Sequence, residues 1–384
     1  MSDNGLSHAA PFIVFADDWG RHPSSCPHLF RRLLPRHPTF WVNTIGMRRP
    51  RLDLATLRRG LEKLLHWARR PSGPALELPP NLSVSNPRMW PWFSTPLDRR
   101  LNRWLLTRHL RRLARPLPAP PVVVTTVPVV ADLVSVFPEW VWVYYCVDDF
   151  GSWPGVDQRA IRRMEERLVR ECYRLVAASE TLRDRLACMG RHAQLLTHGV
   201  DLDFWSRGEG PLPPAVQSLR KPLVVFWGVV DRRMDVGWVK RLAAALPEAT
   251  VLLVGPKADP DPALLQTPGV AHLPPLAFEQ LPPLAREAAV LVMPYADLPV
   301  TRAMQPLKLK EYLATGKPVV ASDLPANRAW ADCMDVVGTA EEFAGAVRLR
   351  LRTGLPPGQR AARARLASEG WDEKVRLFER WVLE

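Results

Sequence analysis

The sequence is poor in the features that announce the simplest answers. Cysteine is scarce, with five in 384 residues: Cys26, Cys146, Cys172, Cys188 and Cys333. They are dispersed, odd in number and form no CxxC pair. That argues against a disulfide framework or a zinc site and fits a reducing compartment. No uninterrupted apolar run reaches the roughly 20 residues needed to span a bilayer. The opening Met1-Ser-Asp-Asn-Gly-Leu-Ser-His8 lacks the basic flank and apolar core of a signal peptide. The expectation is a cytoplasmic protein whose contact with a membrane, at its inner face, is peripheral. Neither a GxGxxG fingerprint nor a Walker P-loop occurs, and no cofactor or metal is expected.

What the chain has is length and a lopsided charge. At 384 residues, 47% hydrophobic and 24% charged, it can build two domains with separate cores. The net charge of +13 is confined to the first half. Residues 1–200 hold 29 Lys and Arg against 17 Asp and Glu, whereas the remainder holds 23 against 22. Part of the excess lies in Arg99–Arg115, which has seven arginines and no acid, with Leu101, Trp104, Leu105 and Leu113 at broadly helical intervals. Three readings stay open for it. It can be an ordinary domain helix with arginine stems along its edges, a helix that meets an anionic membrane surface or acceptor, or a nucleic-acid contact. No recognisable nucleic-acid module accompanies it, so no nucleic-acid partner is expected.

Short apolar runs alternate with helical patterns throughout. In the first half, strands are expected at Pro11–Ala16, Thr39–Asn43, Pro121–Val127, Val141–Val147, Tyr173–Ala177 and Gln194–Thr197. In the second, they are expected at Leu223–Trp227, Thr250–Val254, Val290–Met293 and Pro318–Ala321. Such alternation predicts α/β domains with parallel sheets covered on both faces. Ser206–Pro222 reads as a linker, and Trp371–Glu384 as an amphipathic helix.

The most informative stretch is Gln305-Pro-Leu-Lys308-Leu-Lys-Glu311-Tyr-Leu-Ala-Thr-Gly316-Lys-Pro-Val-Val320. It predicts a loop, a short helix opened by Pro306 and Leu307, a glycine stop and a buried strand. Lys308 and Glu311 stand three residues apart on one side. Lysine and the helix N-terminus attract phosphate, and a carboxylate accepts hydrogen bonds from ribose hydroxyls. An ordinary solvated ion pair is the competing reading.

This stretch, with His198-Gly-Val-Asp201 and Phe226-Trp-Gly228-Val-Val-Asp231, resembles the GT-B glycosyltransferases. The likeness is to the retaining family 4 type and its teichuronic-acid-synthesis-like relatives. The resemblance implies two doubly wound Rossmann-like domains facing across a cleft, and transfer of a sugar from a nucleotide-diphosphate donor to a polysaccharide, lipid-linked or other hydroxyl acceptor without a metal. It implies an acceptor-side domain at 1–205, a nucleotide-sugar-binding domain at 206–370, and a helix at 371–384 crossing back to the first. Donor ligands are then expected at Gly228, Arg232, Pro306, Leu307, Lys308 and Glu311, with Arg233 a further choice. One departure stands out: relatives often carry Glu-x7-Glu, and Ala303 occupies the first position.

In the first half, Trp142-Val-Tyr-Tyr-Cys-Val-Asp148-Asp149 is an apolar strand ending in two acids. In a parallel sheet those acids leave the strand's carboxyl end, where ligands gather. One of them is expected to act on the acceptor hydroxyl; capping of the next helix is the alternative. Relatives carry His-Asp there, so Asp148 replaces the His. Asp18, Trp19, His28 and Trp153 are the acceptor-side candidates. A nucleotide-sugar epimerase and a catalytically degenerate scaffold subunit remain as alternatives on the same fold.

Overall fold

The computed structural model describes residues 9–20, 24–47, 78–153 and 155–384; the opening Met1–His8 lies outside them. The chain forms two compact units, Met1–Leu195 with Leu377–Glu384, and Leu196–Arg376.

Unit 1 is built on seven parallel strands: β1 (Phe12–Phe15), β2 (Thr39–Val42), β3 (Leu82–Ser85), β4 (Val122–Thr125), β5 (Val141–Cys146), β6 (Arg174–Ala177) and β7 (Gln194–Leu195), in the order β3-β2-β1-β4-β5-β6-β7. β1, β4 and β5 are almost wholly apolar and buried, as expected for strands covered on both faces. Unit 2 repeats the plan. β8 (Leu223–Trp227), β10 (Thr250–Val254), β12 (Val270–Leu273), β13 (Ala288–Met293), β14 (Val319–Ser322) and β15 (Asp335–Val337) run in the order β12-β10-β8-β13-β14-β15. A two-stranded parallel pair, β9 (Val230–Asp231) and β11 (Lys257–Ala258), extends beyond β8 and β10.

Strand order reverses between β1 and β4 in unit 1 and between β8 and β13 in unit 2. Loops leaving neighbouring strands at such a switch point diverge to opposite faces and open a crevice at the carboxyl ends. Residues 17–20 follow β1; Gly228 follows β8 and Tyr295 follows β13 closely. Of the sequence motifs, residues 17–20 and Gly228 thus leave strands at the switch points, whereas Asp148 and Asp149 follow β5, beside the first of them.

Before β13, a 3-10 turn, Phe278–Gln280, is followed by the helix Leu281–Glu287, and Ala288 already begins the strand. One sequence-read segment differs in detail. The linker Ser206–Pro222 holds a short helix, Pro214–Gln217, whose Val216 is fully buried. Trp205 packs in unit 2, its ring stacked 5.5 Å from Trp227.

The C-terminal helix Trp371–Leu383 ends in unit 1. There Phe378 is fully buried, 6.2 Å from Phe30 and 5.9 Å from Tyr145 between ring centroids. Glu379 accepts bonds from Arg36 Nε (3.0 Å) and pairs with the buried His37 Nε2 (2.9 Å). Truncating a buried Phe costs about 3–5 kcal/mol through lost transfer energy and a residual cavity. Phe378→Ala should therefore lower the denaturant midpoint of unit 1 by a corresponding amount. A midpoint within error of wild type would show that the helix end does not contribute to the fold.

Candidate functional site

In unit 2 the site is organised by the helix Leu307–Ala314, whose N-cap is Pro306 and which is followed by Gly316 at φ +73°. The competing reading, a solvated pair of Lys308 and Glu311, does not fit: Lys308 is half-buried, and Glu311 and its neighbour Lys310 lie inside. Glu311 is 8% exposed and Lys310 2%. Both face neighbours that the sequence pattern does not reveal.

Glu311 lies beside the end of β8. Its carboxylate Oε2 accepts a bond from Trp227 Nε1 at 3.5 Å, its one side-chain donor among the described residues. The Trp227 ring is fixed on both sides, 4.2 Å from Tyr312 and stacked on Trp205. Trp227 N–H donates to Tyr312 Oη at 2.9 Å. A buried carboxyl with so little compensation resists ionisation. Burial pushes its pKa from 4.5 up to about 7, with Trp227 and the nearby Lys308 charge pulling the other way.

Lys308 extends from the helix N-terminus to the β8/β13 switch point. Its Nζ donates to Tyr295 Oη at 2.7 Å and stands 4.1 Å from the Phe226 ring centroid, a cation–π contact. Gly228 makes this approach possible. It holds φ +137°, and a Cβ there would meet Lys308 Nζ at 2.1 Å. Gly255, one strand over at φ +144°, lets β10 close on the same place, since a Cβ there would sit 2.0 Å from the Gly228 carbonyl oxygen. Only glycine occupies such backbone without strain.

Gly228, Lys308 and Glu311 thus come together around Phe226, Trp227, Tyr295 and Tyr312, with Pro306 and Leu307 at the helix start. Arg232 is instead exposed and paired with Asp259 at 3.0 Å. Its neighbour Arg233 is the better-placed cation: it bonds Asp231 at 3.0 Å and lies 3.8 Å from Met304 Sδ. The Ala296 N–H to Arg233 carbonyl bond (2.8 Å) holds its loop against the segment leaving β13. Ala303 closes the short helix Pro299–Ala303 and is buried.

Lys310 fixes the helix from the other side. Its Nζ donates to Glu369 (2.5 Å), the His198 carbonyl (2.5 Å) and Thr197 Oγ1 (3.1 Å). Lys374 shares Glu369 at 2.6 Å. Burial lowers the Lys310 pKa to about 8, and Glu369 draws it back up. Val200 N–H bonds the Glu369 carbonyl at 2.9 Å, and Gly199 packs so closely on Trp371 that a Cβ would meet its ring at 2.7 Å. The segments 197–200 and 369–371 are therefore bound to one another and to the helix bearing Glu311. The sequence reading had noted the His198-Gly-Val-Asp201 motif and the helix from Trp371, but not Glu369 or its bond to Lys310.

In unit 1, Asp148 and Asp149 follow β5. Asp148 Oδ1 accepts the Asp149 N–H at 2.8 Å. Asp149 accepts from Ser152 Oγ at 2.6 Å and faces Arg185 at 3.9 Å. Arg185 is held in turn by the buried Glu165 (2.7 and 2.6 Å), which also accepts from Tyr144 Oη at 2.7 Å. This network sets the orientation of the Asp149 carboxylate. Trp153 is on the same loop, 5.4 Å from Phe150. After β1, Asp18 and Trp19 are half-buried, and Trp19 packs edge-on against Trp41 at 4.9 Å with Arg31 over its ring. His28 is half-buried on the helix Ser25–Leu33.

The raised Glu311 pKa has a stability consequence. Between pH 4.5 and about 7 the folded protein keeps a proton that the unfolded chain releases, so stability falls as pH rises. Above that window the full penalty is present, about 3 kcal/mol. Glu311→Gln should melt higher than wild type near pH ~8 and alike near pH ~4. Parallel melting curves at both pH values would show that Glu311 ionises as an ordinary carboxyl.

The family described as glycosyl transferases group 1 matches residues 221–352. TuaH of Bacillus subtilis (strain 168), assigned as a teichuronic acid biosynthesis glycosyltransferase, is 28% identical over 179 residues. That match covers 44% of this chain and 45% of TuaH, so less than half of the curated relative is spanned. Solved structures align over nearly the whole chain at low identity. Anabaena HepE in complex with UDP and glucose has a TM-score of 0.68 at 14% identity, covering 97% of this chain and 98% of its own. Sucrose-phosphate synthase from Thermosynechococcus elongatus has a TM-score of 0.71 at 14% identity, with the same coverage. The chain has the GT-B fold, and its residues 221–352 are a glycosyl transferases group 1 domain.

Proposed function

We propose that the protein is a glycosyltransferase that moves a sugar from a nucleotide-diphosphate donor to an acceptor hydroxyl of a polysaccharide or lipid-linked saccharide. The observation that carries this reading is the buried, sparsely bonded Glu311 carboxyl one helical turn from Lys308, at the β8/β13 switch point. A buried polar group with little compensation is costly unless something else bonds it, and a ribose offers two hydroxyl donors. Lys308 and the N–H groups of the helix start suit the diphosphate. Complexes of HepE with UDP-glucose and with UDP and glucose support a uridine nucleotide as the first donor to test.

In the reaction the bond from the anomeric carbon to the diphosphate oxygen breaks and the acceptor oxygen takes its place. Negative charge grows on the leaving diphosphate, where Lys308 and the helix N-terminus stabilise it; the scheme uses no metal. Asp148 or Asp149 takes the acceptor proton. Arg233, rather than Arg232, is the second cation assigned to the diphosphate. Asp18, Trp19, His28 and Trp153 are assigned to the acceptor side.

Ala303, where relatives often carry a carboxylate, supports a second reading: a nucleotide-binding subunit without transfer activity. A thermal-shift screen of UDP-, GDP-, ADP- and dTDP-sugars addresses both. One nucleotide class should raise the melting temperature, by about 2.7 kcal/mol of added stability at a hundredfold excess over Kd, and Glu311→Ala should abolish the rise. With that donor, Asp148→Asn or Asp149→Asn should lower kcat by about 10²-fold or more while keeping the shift. A shift without transfer to any acceptor would favour the subunit. No shift from any nucleotide would remove the donor site.

A further inference from the structure

The long helix of unit 1, Pro96–Ala114, has one face that the fold explains and one that it does not. Its inner face is accounted for. Asn102, Leu106 and Leu110 are buried, and Asn102 bonds the backbone of Trp90 and Trp92 at 2.7–3.0 Å. Arg99 forms a two-point ion pair with Asp132 at 2.6 and 2.8 Å. Asp98, the only acid on the helix, is tied into the N-terminal capping box with Thr95 and accepts from Trp90 Nε1 at 2.8 Å.

The outer face combines apolar residues and unpaired cations. Leu97 is 77% exposed, Leu101 40% and Trp104 58%. Continuing at steps of three or four, the same stripe reaches Arg108, Arg111 and Arg115, with Arg100 and Arg112 alongside. None of these five arginines, nor Arg103, has a carboxylate partner among the described residues. The sequence reading noted Leu101 and Trp104 as apolar residues at broadly helical intervals. In the structure they project outward, because Leu106 and Leu110 already fill the inner contact.

The geometry points to this face as a docking surface for an anionic lipid bilayer. Leu97, Leu101 and Trp104 enter the headgroup–acyl boundary at one end of the stripe, and the arginines meet lipid phosphates along the rest. Charge complementarity selects an anionic surface, and the protruding side chains select a bilayer over a nucleic acid. Leu97 and Leu101 find apolar surroundings in an interface but meet nothing comparable along a phosphate backbone. No helix among the described residues is long and apolar enough to cross a membrane, which suits a surface mode of contact. This assignment uses unit 1 alone, so a failure of the nucleotide reading leaves it standing.

Co-sedimentation of the full chain with vesicles tests it. Wild type should partition onto phosphatidylcholine–phosphatidylglycerol vesicles, less as salt rises, and only weakly onto phosphatidylcholine alone. At about fivefold per unit of basic charge, Arg108→Glu/Arg111→Glu should lower partition at least about a hundredfold. Leu97→Ser/Trp104→Ser should lower it at least about tenfold. Arg352→Glu/Arg360→Glu, with the same change of net charge in unit 2, should retain it. All the substituted positions are exposed, so circular dichroism and melting temperature should match wild type. Absence of wild-type partition, or equal loss in the unit 2 variant, would overturn the proposal. So would binding to a single-stranded oligonucleotide that anionic vesicles fail to displace, which would assign the face to nucleic acid.

Discussion

Removal of the Glu311 carboxyl from water, at the point where strand order reverses, is the constraint on which the proposed donor site depends. A carboxyl in that position must either stay protonated or be met by donors, and among the described residues the side chains supply only one long bond, from Trp227. Holding it there requires a rigid helix, and the rigidity comes from its other charged residues. Lys310 is pinned by Glu369, Thr197 and the His198 carbonyl. Buried ion pairs of this kind contribute little net stability against an apolar replacement, yet breaking one leaves an unpaired charge in the interior. They fix position more than they add stability. Here they fix the helix against the segments 197–200 and 369–371, close to 195/196 and 376/377, where the chain passes from one unit to the other.

Unit 1 uses the same device at the end of β5. Glu165, Arg185 and Tyr144 form a buried network, and burial together with the Glu165 charge holds the Tyr144 and Cys146 pKa values well above their ordinary range. The network's edge reaches Asp149 through Arg185. In both units, a candidate carboxylate is oriented by polar partners that buried groups hold in turn, Trp227 for Glu311 and Arg185 for Asp149, so its direction does not depend on the loop alone. The basic outer face of Pro96–Ala114 is the counterexample: its exposed arginines have no carboxylate partners among the described residues.

The central strands were legible because burial on both faces leaves runs such as Phe12–Phe15 and Val290–Met293 with no polar interruption. Leu82–Ser85, Val270–Leu273 and Asp335–Val337 were not, since all three are edge strands, half-exposed, and mix polar with apolar residues. Lys308 and Glu311 could be found from their spacing and their place after a buried strand. The burial of Lys310 could not, because its partners lie 59 and 113 positions away in sequence. Tyr295 and Gly255 carried a weaker signal: each stands just beyond the end of a buried strand, one at the switch point and one beside it. Arg232 and Arg233 were both read from their place after β8; both pair with an aspartate, and it is exposure that separates them, Arg232 lying at the surface and Arg233 half-buried.

The central claim is that nucleotide binding recruits Glu311 as a carboxylate. Calorimetric titration of the nucleotide sugar, whose phosphates carry no proton that titrates near pH ~6, in buffers of different ionisation enthalpy at that pH tests it most directly. At that pH the carboxyl is largely protonated, with its pKa near 7. Binding through ribose hydroxyls should then release close to one proton per nucleotide from wild type and none from Glu311→Gln. A binding enthalpy independent of buffer in wild type would contradict the account and leave the buried carboxyl without a role in holding the donor.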